Sequence, residues 1–333
     1  SPTIKNSIIR YSKYSGIYTE GDSSPTIINS TISNNTTYGV YTTGTGNISI
    51  TGSTISNNGT YGVYWTDKAT ISNTSFTNNG YYALSTFANF NLGTGNTFSG
   101  NGENGIELRG GTISTDTTWT LAGSPYIVTG DVYVYGTTTE PTLTIEPGVV
   151  VKFNGMNVLQ IGYYDPSQKG RLNAQGTLTT PIVFTSNKQT PAPGDWYGLR
   201  FYNHASTESI LDYVTVEYAG GGNYNIYLSN SSPTIKNSII RYSKYSGIYA
   251  EGDSALIVMD STISNNGTYG VYVVDIGNVN ITFSTISNNI NYAVYSSSSV
   301  LKVNHCNIAG NGSGIFSNPG NIADARFNWW GDT

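Results

Sequence analysis

The sequence predicts an all-β solenoid: a right-handed parallel β-helix of roughly 22–23 residues per coil, set within a super-repeat that runs from Ser1 to Ser231. Three observations predict it. Aliphatic residues recur in columns at the period of a coil. Asn, Gly and Ser, which form tight turns, separate those columns. A block of sequence also returns almost unchanged further along the chain.

The columns decide the fold. Ile17, Val40, Val63, Leu84 and Ile106 follow one another at a steady beat, and Ile226, Ile248, Val271, Val294 and Ile315 keep the same one. A second set, Ile9, Ile32, Ile55, Phe76, Phe98 and then Ile240, Ile263, Ile286, Ile308, drifts in step with the first. So does a third, Ile4, Ile27, Ile50, Ile71 and then Ile235, Val258, Ile281, Val303. The intervening runs are rich in Ile, Val, Thr and Tyr, which favour strands. Ser-Asn-Asn, Asn-Gly and Thr-Gly bound them and accept positive φ. Each coil therefore makes two or three short strands, and each strand pairs in parallel with its counterpart one coil on, about 4.8 Å along the axis. A single coil cannot bury its own apolar side chains, so stacking is obligatory. A leucine-rich repeat has a similar period, but its Leu-x-x-Leu-x-Leu frame is absent.

Two polar columns ride on the same beat. Asn35, Asn58, Asn79, Asn101 and then Asn266, Asn289, Asn311 place an amide at the same turn of successive coils, where amides can hydrogen-bond as a ladder. Tyr18, Tyr41, Tyr64 and Tyr249, Tyr272, Tyr295 each follow an inward aliphatic residue and so point outward. Such tyrosines either stack to support the ladder or form a contact face for glycans or a neighbouring subunit.

The longer repeat is SPTIKNSIIRYSKYSGIYTEGDS, which begins at Ser1 and returns at Ser232 with Ala250 in place of Thr19. This divides the chain into regular coils over 1–111, a segment of longer coils over 112–222, and regular coils again over 223–333, in one continuous solenoid. Loops are expected around Tyr163–Lys169 and Asn187–Gly194. Both ends are expected to be cut points of a longer array or to be covered by another subunit.

Composition limits the function. Charged residues make up 11% of the chain, against the usual quarter, while Gly (39) and Tyr (27) are abundant. A net charge of −5 argues against nucleic acid, which needs clustered Lys and Arg. No apolar run is long enough for membrane insertion. The single cysteine, Cys306, reads as a buried, inert thiol.

The carboxylates form no ladder across coils of the kind that holds a cation or an acid/base pair. Glu20 aligns with Thr43 and Thr66, Glu107 with Ser85 and Tyr64, and Glu251 with Val274, with Asp275 diagonal to it. Asp195, Glu208, Asp212 and Arg200 are the best catalytic cluster, although Asp195 reads better as a turn residue. No catalytic, cofactor-binding or metal residues are therefore assigned. A structural Ca²⁺ at Asp165, Asp195 or Asp253 is a secondary expectation.

The middle segment contains Leu143–Phe153 (LTIEPGVVVKF), Gly176–Ser186 (GTLTTPIVFTS) and Gly194–Leu199 (GDWYGL), and the chain closes on FNWWGDT from Phe327. These phrases resemble the right-handed parallel β-helix repeat proteins of secreted and cell-surface origin, a pectate-lyase-like β-solenoid family. The resemblance implies an extracellular or cell-surface location. It leaves function open, because the fold carries lyases, epimerases, tailspikes, adhesins and filament subunits. The expectation is a non-enzymatic structural subunit of a filament, sheath or surface fibre, partnered by copies of itself end to end and laterally. The alternatives are an adhesin or glycan-binding module, then a polysaccharide lyase or epimerase.

Overall fold

In the computed structural model, which describes residues 1–65, 69–274, 278–297 and 300–331, the chain is an all-β parallel solenoid of about 14 turns. It divides into two compact units, Ser1–Gly111 with Thr117–Thr129, and Thr112–Asp116 with Gly130–Thr333.

In the first unit the three columns become three parallel ladders. One stacks Ile4, Ile27, Ile50 and Ile71 in register. The next stacks Ile9, Ile32, Ile55, Phe76 and Phe98. The third stacks Ile17, Val40, Val63, Leu84 and Ile106. Ile27, Ile32, Ile50, Ile55 and Phe76 are wholly buried, so these side chains share one dry interior. Burying each such side chain contributes roughly 1.5–3 kcal/mol.

The second unit also stacks three columns. Ile226, Ile248, Val271, Val294 and Ile315 are in register, as are Ile235, Val258, Ile281 and Val303 and Ile240, Ile263, Ile286 and Ile308. The longer coils join the same ladders. Val132 pairs with Leu159, Leu159 with Leu199, and Leu199 with Ile226, so each of these coils carries more chain than a regular one. The extra residues leave the sheet as loops over 162–170 and 187–197. Trp196 folds back inward from the second loop and stacks on Phe153 at 4.0 Å, its indole N–H donating to the Glu217 carbonyl at 2.8 Å.

Left-handed backbone at the turns explains the Asn content. Asn29, Asn34, Asn57, Asn73, Asn78, Asn230, Asn237, Asn265 and Asn288 all have φ between 47° and 56°, a region Asn tolerates better than most residues. Gly52 stands at the same kind of turn with φ of 63°. A Cβ there would meet the Asn29 side chain.

Candidate functional site

The amide columns form two hydrogen-bonded ladders. Asn35 donates to Asn58, Asn58 to Asn79 and Asn79 to Asn101, each from Nδ2 to Oδ1 at 2.9 Å. Asn266 donates to Asn289 at 2.9 Å and Asn289 to Asn311 at 2.8 Å. Backbone N–H groups reach the same Oδ1 atoms. Except for half-buried Asn311, these amides are buried, so they are internal struts with no surface stripe to offer. A serine ladder runs beside them that spacing alone does not reveal. Ser238 N–H donates to the Ser261 hydroxyl and Ser261 N–H to the Ser284 hydroxyl, at 3.1 and 3.2 Å. Its signal, a Ser just before a short strand in successive coils as at Ser238, Ser261 and Ser284, is diluted by the abundance of Ser.

The outward face of the second unit is different in kind. On the sheet whose inward row is Leu159, Leu199, Ile226, Ile248, Val271, Val294 and Ile315, the outward row is Gln160, Arg200, Tyr227, Tyr249, Tyr272, Tyr295 and Phe316. Successive rings lie close: Tyr227 to Tyr249 at 5.7 Å, Tyr249 to Tyr272 at 5.1 Å, Tyr272 to Tyr295 at 5.3 Å and Tyr295 to Phe316 at 4.5 Å. Tyr224, Tyr269 and Tyr292 flank this row. The predicted trio Tyr249, Tyr272 and Tyr295 is therefore brought together, half-buried, within a longer aromatic strip.

Glu251 lies beside the strip and accepts the hydroxyls of both Tyr227 and Tyr249, the latter at 2.8 Å. Burial, reinforced by this carboxylate, holds both phenols well above the usual tyrosine range. They are neutral hydroxyls at physiological pH.

Arg200 follows Tyr227 in the row, which runs on through Gln160 to Tyr133. Its guanidinium lies 4.0 Å over the Tyr197 ring and 5.1 Å over Tyr227. It donates to the Tyr202 hydroxyl at 3.0 Å and the Gly222 carbonyl at 3.3 Å, and its Nε is buried without a partner. A cleft of about 290 Å³ opens here, lined by Asp131, Tyr133, Gln160, Tyr163, Tyr164 and Arg200 among others. Tyr164, hydrogen-bonded to Tyr202 and partly desolvated, has its pKa pushed up to about 12. Nothing in the periodicity places Arg200 and Gln160 in this row, because the long loops break the beat.

The predicted catalytic cluster is not brought together as a set. Asp212 lies on a different sheet from Arg200 and pairs with Lys236 at 3.2 Å. Glu208 pairs with Arg171 at 2.6 Å. Asp195 is a turn residue, accepting from the Ser186 hydroxyl, the Lys188 ammonium and the Ala192 N–H. Burial raises its pKa, but these donors outweigh burial and leave the group below the ordinary carboxylate range. Asp165 turns its Oδ1 onto Ser167, and the Asp253 N–H donates to Asn230. Among the described residues no three His, Cys, Asp or Glu side chains come together as a metal-binding group. Cys306 is buried, which pushes its thiol pKa up. Thr66 and Asp275, named above in the carboxylate alignment, lie outside the described residues.

In the first unit Tyr18, Tyr41 and Tyr64 also stand in one outward row. The same row continues to Ser85 and Glu107.

Fold and surface together define a right-handed parallel solenoid with an aromatic exterior. The family model for the right-handed β-helix region matches residues 1–118 and 193–328, and that for a pectate-lyase-like β-helix domain matches 111–244. The chain belongs to the right-handed β-helix family. No curated protein matches it significantly in sequence. Among solved structures it is similar to the periplasmic alginate epimerase AlgG, at 10% identity and a TM-score of 0.42, covering 93% of this chain and 77% of that one. No helix is long and apolar enough to cross a membrane among the described residues.

Proposed function

We propose that this protein is a non-catalytic, extracellular or cell-surface β-helix that binds a polysaccharide strand along the aromatic strip of its second unit. One observation carries this: the continuous outward row from Gln160 and Arg200 through Tyr227, Tyr249, Tyr272 and Tyr295 to Phe316. Tyrosine rings give a sugar an apolar face to stack on and a hydroxyl to bond. Their spacing of one ring per coil is close to the length of one sugar in an extended chain. Arg200, with no carboxylate partner among the described residues, adds a donor for sugar oxygens or carboxylates. The match to a pectate-lyase-like domain over 111–244 fits a carbohydrate ligand and covers the Arg200 cleft. Pull-down on insoluble chitin, cellulose, calcium pectate and alginate gels tests it. Depletion by at least one matrix, lost on Tyr249→Ala with Tyr272→Ala, is expected. Equal depletion by the double variant on every matrix defeats the proposal.

The filament subunit expected from the sequence remains a second proposal, favoured by the near-identical blocks at Ser1–Ser23 and Ser232–Ser254, since duplication lengthens a solenoid without a new fold. Regular end-to-end fibres in electron micrographs of the purified chain support it, and monodisperse particles at all concentrations count against it.

A further inference from the structure

The first unit carries its own aromatic row, independent of the strip just described. Tyr18 and Tyr41 are 5.6 Å apart and Tyr41 and Tyr64 5.4 Å, with Tyr38 stacked on Tyr41 at 4.7 Å and on Tyr61 at 5.7 Å. An arginine packs over the last tyrosine of this row from two residues beyond Glu107, outside the register row itself. The Arg109 guanidinium lies 4.0 Å over Tyr64 and 4.6 Å over Phe87. It donates to the Tyr64 hydroxyl at 2.7 Å and to the Trp65 carbonyl, and its Nε is buried without a partner. No carboxylate pairs with it among the described residues. Glu107, two residues before it and itself in the row, is taken by the Ser85 and Thr129 hydroxyls at 2.6 and 3.2 Å. Each unit thus presents a file of tyrosines with a ring-clamped arginine against one member, paired with no acid among the described residues.

We propose that each unit holds one polysaccharide strand, so that a single chain is bivalent. This rests on the carbohydrate-binding function proposed above. The chemistry of the row selects the occupant. Phenol rings and hydroxyls with one guanidinium short of an acceptor suit an oxygen-rich, weakly charged chain. A peptide strand would find no free backbone partner here, because the strands beneath are paired in their own ladder. Nucleic acid would find too few cations on a chain of net charge −5. The duplication that placed Tyr18 and Tyr249 at the same point of the super-repeat copied part of a binding row along with the fold. Two linked sites raise affinity for a long polymer over a short oligomer by about 10²–10⁴-fold when both can engage.

Calorimetry of the full chain with hexamers of β-1,4-glucose, β-1,4-N-acetylglucosamine, galacturonate and guluronate tests this. Two hexamers bound per chain are expected. One is expected to remain in Tyr41→Ala with Tyr64→Ala, and the other in Tyr249→Ala with Tyr272→Ala. Arg109→Gln, which spares the rings, is expected to weaken one of the two sites at least fivefold. One hexamer per unmodified chain overturns the second site and leaves the carbohydrate-binding proposal standing. No hexamer bound by the unmodified chain overturns both.

Discussion

Ser1–Ser23 and Ser232–Ser254 share all but one residue, yet the structure makes different things of them. Ile235 is wholly buried, paired with Leu211 and Val258, while Ile4 pairs with Ile27 and is half-buried. Ile8 is 69% exposed and Ile239, its duplicate, 37%. Tyr18 meets Tyr41, whereas Tyr249 meets Tyr224, Tyr227 and Tyr272 at 4.3, 5.7 and 5.1 Å. In a solenoid, burial is supplied by the coils on either side, so the environment of a residue depends on its neighbours more than on its own segment. The one difference fits this. Ala250 sits inward between Leu228 and Val273, and Thr19 sits beside Thr42.

Ile240→Ala removes a fully buried side chain clasped by Val216 and Ile263, at a cost of about 4 kcal/mol, while Ile239→Ala on the outward side of the same strand costs about 1 kcal/mol. Denaturant titration of the full chain measures both, and equal losses would show that burial between neighbouring coils does not set the energetics. Ala250→Thr puts a larger, polar side chain into a fully buried site between Leu228 and Val273 and lowers stability by about 2 kcal/mol, whereas Thr19→Ala shifts the same midpoint little. Tyr249→Phe gives up the hydroxyl donated to Glu251 for about 1 kcal/mol. Tyr18→Phe gives up a longer, exposed bond to Glu20 and is expected to change stability by less than about 0.5 kcal/mol. The smallest signal is in alkali. Tyr227 and Tyr249 have folded pKa values above that of the unfolded chain. Their contribution is therefore complete below about pH 10 and drains away as the pH climbs toward the folded values. Ultraviolet absorbance titration is expected to show late-ionising phenols, some of which move earlier in Glu251→Gln.

The regular coils were legible because a buried column must repeat at the coil period. Ile32, Ile55 and Phe76 announce their register by spacing alone, and the stacked Asn amides follow from the same arithmetic. The aromatic strip was legible only where the short beat persists, at Tyr249, Tyr272 and Tyr295. Its other end, Arg200 and Gln160, lies across the long excursion of chain between Leu159 and Leu199. There, the loops that carry Tyr164 and Trp196 erase the period, and only backbone pairing restores it. Asn-x-Ser/Thr sequons, alike in sequence, stand in unlike surroundings. Those at Asn35, Asn58 and Asn266 are buried in the ladder, while those at Asn47, Asn73 and Asn280 face solvent.

The first Asn ladder runs one way only. Each amide gives to the next and takes from the one before, from Asn35 to Asn101, where Asn104 accepts from the Asn101 backbone at 2.8 Å and from its side chain at 3.3 Å. Aligned amide dipoles polarise one another, so the file has a head and a tail, as a row of magnets does. Whole turns can be spliced into such a file without disturbing its direction. A fractional turn, or one lacking its amide, would leave two ends facing a gap, which confines length variation to complete coils.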